Sequence, residues 1–196
     1  MRPPQAFTLV ELLVVMTIIA ILAVVALVDY GTSVKKARLQ IATEQVVVLL
    51  ENAGVSAQTN IEAETQSNCW AVLLEAATEP SLYKIPYDDG CDTSVSNFEE
   101  DQSLNWVNQL AINELTYVTT DSYGTAGGGT LSSIWIVFAP PDGDISVYEN
   151  GLSTISRISD VTEVEVPISF DGSEDPVFNK TITIVPITSS FVISSG

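Results

Sequence analysis

Phe7 to Val28, FTLVELLVVMTIIAILAVVALV, is an apolar run of 22 residues interrupted only by Thr8, Glu11 and Thr17. At about 1.5 Å per residue a helix of this length measures roughly 33 Å, enough to cross the hydrocarbon core of a bilayer. The run holds neither Pro nor Gly, so nothing in it asks for a break. Its Ile, Val and Leu residues leave no polar face, which is the pattern of a helix embedded in lipid. One charge, Glu11, lies inside it. A carboxylate in hydrocarbon costs on the order of 2.5–3.5 kcal/mol at a helix centre and less towards an end. Glu11 therefore calls for a partner, or for a place near the headgroups where the helix dipole favours a negative charge.

The order of features, a short polar leader MRPPQA, then Phe7, then Thr8-Leu9-Val10-Glu11 opening an uninterrupted apolar helix, resembles the N-terminus of type IV prepilins and pseudopilins. The resemblance implies cleavage by a membrane peptidase between Ala6 and Phe7, N-methylation of the new Phe7 amine, and an assembly role for Glu11. The family's usual residue before the cut is Gly; Ala6 is also small. The physical reading agrees, because subunits stacked with an axial offset would bring the Phe7 amine of one to Glu11 of its neighbour. Burial makes such a pair a register device, since an unpaired charge there is what the assembly avoids. Two later passages, IWIVFAPPDGDISVY and the tail TITIVPITSSFVISSG, are similar to segments of the H-type minor pseudopilins of type II secretion.

Removing the leader and the apolar run leaves about 165 residues, sufficient for one domain with its own core. The chain has 7 Lys and Arg against 25 Asp and Glu, a net charge of −18; loss of Arg2 with the leader makes the mature chain one unit more acidic. Such a balance repels phosphate backbones and disfavours nucleic acid as a partner. Lys35, Lys36 and Arg38 form the one basic cluster, and they are better read as meeting lipid headgroups or a neighbouring subunit's acids. Charge alone does not orient the chain across the membrane, with Arg2 and the α-amine on one side of the run and three basic residues on the other. The pilin resemblance implies an extracytoplasmic C-terminal part. The absence of histidine excludes His-containing triads and His-ligated zinc. Cys69 and Cys91 cannot make a four-cysteine metal site; outside the cytoplasm such a pair forms a disulfide, and in a reducing compartment both are buried small hydrophobes.

Along the chain, Ser33 to Asn52 continues the helix amphipathically, with Val34, Ala37, Ile41 and Val48 expected on the buried face and Asn52-Ala53-Gly54 as its stop. Val55 to Gln66 reads as a connection or a weak helix. Short helices are expected from Ser67 or Asn68 to just before Pro80, with Trp70, Leu73, Leu74 and Ala77 inward, and from Ser103 to Leu115. Asp88, Asp89 and Asp92, beside Gly90, offer oxygen ligands of the kind calcium takes, but their spacing matches no EF-hand and solvated acidic loops are commoner. No cofactor is otherwise indicated. From Thr116 the period becomes two. Strands are expected at 117–120, 134–139, 145–148, 161–170, 181–187 and 191–193. Gly127-Gly128-Gly129 reads as a flexible loop, and Pro140-Pro141-Asp142-Gly143 and Asn150-Gly151 as turns.

The organisation expected is a leader (1–6), a membrane-spanning or filament-core helix (7–28), its amphipathic continuation (29–54) and an extracytoplasmic globular domain (55–196). The fold class is α+β, an antiparallel sheet laid on the C-terminal half of one long helix. The function this implies is a minor pilin or pseudopilin of a type IV pilus or type II secretion-like filament, structural rather than enzymatic. Its partners would be other such subunits, the prepilin peptidase and the cytoplasmic membrane. The rivals are a signal-anchored binding domain that forms no filament, a two-carboxylate glycosidase, for which the acids show no recognisable spacing, and a secreted domain cut after Val24-Val25-Ala26.

Overall fold

The computed structural model describes residues 9–59, 68–86, 91, 98–106, 110–121, 123–150, 155–170 and 178–195, without the side chains of 25–29, 86, 150, 155, 156 and 195. Among the described residues one α-helix, α1 (Leu9–Thr59), is followed by twelve strands: β1 (Asn68–Glu75), β2 (Ser81–Pro86), β3 (Glu99–Ser103), β4 (Leu110–Ile112), β5 (Leu115–Thr120), β6 (Ala126–Leu131), β7 (Ser133–Ala139), β8 (Asp144–Asn150), β9 (Ile155–Ile158), β10 (Val161–Phe170), β11 (Asn179–Val185) and β12 (Ser190–Ser195). A 3-10 turn at Pro186–Thr188 joins the last two. The class is α+β. Contacts divide the chain into two units, Met1–Arg38 and Leu39–Gly196.

In the first unit every described side chain from Leu9 to Val24 is exposed, the apolar ones included. Among the described residues no helix is long and apolar enough to cross a membrane. The expected span Phe7–Val28 begins and ends outside the side chains described, so the apolar stretch on view is Leu9–Val24.

The second unit is built on two antiparallel sheets. The first has the order β3-β2-β1-β7-β8-β9; the second runs β12-β11-β10-β5-β6, with β4 also on β10. One core cluster draws Val46, Leu50 and Ala53 from α1, Val72, Ile136 and Phe138 from the first sheet, and Val164, Ile168 and Ile182 from the second. The buried stripe of α1 is Leu39, Ala42, Val46, Leu49, Leu50, Ala53 and Ala57, recurring at three and four residues as a one-sided helix must. Its one polar member, Thr43, donates its hydroxyl to Leu39 O at 2.7 Å and so costs little to bury.

That stripe corrects the expected one. Ile41 and Val48 lie on the opposite side, half exposed, and Ala37 is exposed too, with Val34 half-buried. α1 also runs past the stop expected at Asn52-Ala53-Gly54. The turn beyond it has partners that outweigh the roughly 1 kcal/mol cost of a helical glycine: Ala57 is buried, and Gln58 Nε2 donates to Asp142 O at 3.0 Å. The remainder of 55–66, from Asn60, lies outside the described residues.

The segment expected as a helix at 68–77 is β1, a central strand between β2 and β7. Cys69 and Ala71 bury on one face, Val72 and Leu74 on the other. A strand apolar on both faces loses its period-two signature, and its residues then read as helical. Ser103–Leu115 likewise gives strand ends and turns rather than a helix. Leu104 N donates to Pro80 O (3.0 Å), Trp106 N to Glu79 Oε1 (3.0 Å), and Ile112 pairs with Ile168; residues 107–109 lie outside the described set.

All six expected strands are present, with Pro186 ending β11 because it has no N–H to donate. Pro140–Gly143 turns β7 into β8 as expected, closed by Gly143 N–H to Ala139 O at 2.8 Å, and Gly143 takes the left-handed φ of +74° that this turn requires. Asn150 ends β8; Gly151 lies outside the described residues. Gly127–Gly129 is not a loop but the centre of edge strand β6, paired to β5. A Cβ on Gly129 would come within 3.2 Å of the Tyr117 ring laid over it, and one on Gly128 would overlap Tyr117 O. The glycines are therefore set by the close approach of their neighbour, an aromatic ring covering the strand where side chains are missing.

Candidate functional site

The candidate site is the N-terminal part of α1. Glu11 lies near the start of the described part of α1. It is exposed and flanked by exposed Val10, Leu12 and Leu13. Thr17, the other polar residue of this stretch, turns its Oγ1 back onto the helix, 3.1 Å from Leu13 O and 2.7 Å from Val14 O. A hydroxyl satisfied within its own helix is tolerated in an apolar environment. Glu11 is then the one side chain of Leu9–Val24 that brings a charge to that environment. Ala6 and Phe7 lie outside the described residues. Lys35, Lys36 and Arg38 are exposed on α1, beyond the apolar stretch.

In the second unit, Cys69 on β1 and Cys91 are joined as a disulfide with a Cα–Cα distance of 5.7 Å. It closes a second cluster on the far face of the first sheet, with Ala71, Ile85, Trp135 and Val137. Sequence reading missed the aromatic group that belongs to it. Tyr83 and Phe98 both meet the Trp135 ring edge-on, at centroid distances of 4.9 and 4.7 Å. Burial raises the Tyr83 phenol above its ordinary pKa, with the Glu100 charge adding to the shift. The visible signal was the continuous apolar run Ile134–Phe138 in β7, which is buried on both faces.

Asp88, Asp89 and Asp92 lie outside the described residues. Among the described residues, no group of three His, Cys, Asp or Glu side chains is placed to hold a metal ion. Asp121 plays a structural part at the β5–β6 turn. Its Oδ1 accepts N–H bonds from Thr125 (2.7 Å) and Tyr123 (2.9 Å), and these bonds, that of Thr125 foremost, hold its carboxyl below the usual pKa.

Residues 1–27 match the prokaryotic N-terminal methylation motif. The match covers the leader, Phe7, Glu11 and most of the apolar run, and makes the chain similar to type IV pilins and pseudopilins through that segment. No curated protein and no solved structure matches the chain.

Proposed function

We propose that the chain is a structural subunit, a minor pilin or pseudopilin, of a type IV pilus or type II secretion-like filament. It enters the cytoplasmic membrane through its apolar N-terminus and is trimmed between Ala6 and Phe7. The new amine is methylated, and the subunit then passes into a filament by packing α1 against other subunits. The observation that carries this reading is the exposure of apolar side chains on every face of α1 from Leu9 to Val24, around the single carboxylate of Glu11 and within the methylation motif. A helix of that kind is stable only where lipid or other helices surround it, since water would contact fourteen apolar side chains between Leu9 and Val24. Cleavage would supply the positive partner for Glu11. An amine–carboxylate pair in an apolar filament core fixes register, because any other offset leaves a desolvated charge unpaired. The Leu39–Gly196 unit would stand outside the membrane, where its acidity keeps it soluble and its disulfide stays oxidised.

The test is Glu11→Ala in the native cell, reading the chain in sheared surface filaments and in membranes. The expected result is a loss from the filament fraction of about tenfold or more, with the membrane level unchanged. A Glu11→Ala chain that assembles as the parent does would overturn the reading in favour of a membrane-anchored domain that forms no filament.

A further inference from the structure

The two sheets treat their edges differently. An edge strand offers unpaired N–H and C=O groups to any passing strand, and chains guard such edges with charge, proline, bulges or shortness. The first sheet is guarded at both ends: β3 exposes Glu99, Glu100 and Asp101 and shifts register against β2, and β9 has four residues, with Arg157 exposed. The second sheet ends in β6, AGGGTL, and β12, SFVISS. Neither carries a charge or a proline, and each holds unbroken register with its neighbour over six residues. Among the described residues nothing pairs with the outer side of either strand. In a chain of net charge −18, two such edges on one sheet mark a surface open to strand addition.

Side chains say which strand fits. Among the described residues the exposed large apolar side chains on strands are Val118 (36%) and Val192 (53%). Both stand on the face of the second sheet turned away from the core. Thr116, two residues before Val118, pairs with Glu165, Glu165 with Thr183, and Thr183 with Val192, whereas buried Val164 and Ile184 point the other way. Val118 is paired with Gly128 of β6, so the surface on that side of it is bare. A strand bringing a β-branched side chain to Gly128 would cover the gap, as the Tyr117 ring covers Gly129 on the core face. β12 brings Val192. β6 laid on β6 would set glycine against glycine, and β12 on β12 would leave Gly128 uncovered. Pairing like edges with both cores on one side would also turn alternate copies head to tail.

We propose that β12 of one copy of the chain adds to β6 of the next, parallel to it and with Val192 beside Gly128, so that the second sheet runs on from copy to copy. Direction follows from the topology. β12-β11-β10-β5-β6 are joined by four antiparallel pairings, so β12 and β6 run the same way, and copies that point alike present them in parallel. Ser190 then falls beside Ala126 and Ser194 beside Thr130. The pairing rests on the filament-subunit reading, which supplies copies that point alike, and it adds a contact between globular units that uses no residue of α1. The two edges differ, so each copy leaves one of them open for the next. Such a contact propagates rather than closing as a dimer.

The test is oxidative cysteine cross-linking of the full chain in native membranes and sheared filaments, with Thr130→Cys and Ser194→Cys copies carrying different tags. Both positions are exposed, and protection of Cys69 and Cys91 from alkylation verifies the fold of each variant. Neighbouring strands, about 4.8 Å apart, lie within reach of a disulfide, whereas positions four residues out of step, about 13 Å along the strand, do not. The expected result is a Thr130→Cys/Ser194→Cys cross-link about tenfold stronger than that of Ala126→Cys with Ser194→Cys, the pair that an antiparallel arrangement would join. Val192→Lys in the Ser194→Cys copy guards the edge and should weaken the cross-link by a similar factor. A stronger Ala126→Cys/Ser194→Cys product overturns the proposal, and so does a dominant cross-link of either variant with itself or the absence of any. The mass of the N-terminal peptide from the same membranes reads the subunit assignment separately. A chain starting at Phe7 without the mixed cross-link sinks the strand pairing alone, and one starting at Met1 sinks the filament reading whatever the cross-link shows.

Discussion

Leu9–Val24 and Leu39–Thr59 belong to the same helix, yet they solve opposite problems. The first stretch is apolar on all sides and every described side chain is exposed; the second is apolar on two stripes, one of which is buried among β-strands from both sheets. Helix propensity does not distinguish them. What differs is the burial: one stripe of the second stretch is covered by strands, whereas every described side chain of the first is exposed. That exposure, within the methylation motif, is why the proposed function rests on the N-terminal stretch.

The contrast can be broken most directly by cutting the same side chain from each stretch. Leu50→Ala, at a fully buried position on α1, is expected to destabilise the globular unit by about 2–5 kcal/mol in thermal or denaturant unfolding. Leu13→Ala should leave that transition within about 0.5 kcal/mol. Equal effects would mean that the two stretches are not separate environments. Next in size is the disulfide: the Cys69→Ala/Cys91→Ala double variant, or full reduction, should cost about 3 kcal/mol, read as a lowered unfolding midpoint. A smaller loss of about 1–3 kcal/mol is expected for Gly128→Val, whose side chain would collide with Tyr117 O; an unchanged midpoint would return Gly127–Gly129 to the status of a spacer.

How much of this was legible in the sequence follows from the same contrast. The N-terminal segment was readable because its message is local: Phe7, Glu11 and an unbroken apolar run need no tertiary context. The strands from Leu115 onward were largely readable too, since most of them alternate or end at Pro and Gly signals. Asn68–Glu75 was not, because a strand apolar on both faces carries no period to read, and its place between β2 and β7 is decided by pairing across the chain. The buried stripe of α1 was misassigned for a related reason. With two apolar stripes on one helix, sequence cannot say which faces the domain, and Ile41 and Val48 turned out to lie on the uncovered one. The β6 glycines look like a linker until the Tyr117 ring is seen across the pair.

The smallest expected effect is the acid response of the β5–β6 turn. The folded pKa of Asp121 lies below that of the free carboxyl, so its bonds to Thr125 and Tyr123 stabilise the turn above the unfolded value and are lost as pH falls through the lowered folded one. The amide proton shifts of Thr125 and Tyr123 should titrate with a midpoint below the ordinary carboxylate range. A midpoint at the ordinary value would contradict the bonding geometry, and Asp121→Ala should abolish the response.

The central claim is that the chain enters the pilin pathway, and the most direct measurement is mass spectrometry of its N-terminal peptide from native membranes. A peptide beginning at N-methylated Phe7 is the predicted result. One beginning at Met1 would leave an uncut signal anchor, and one at Leu27 a secreted domain; either would contradict the account.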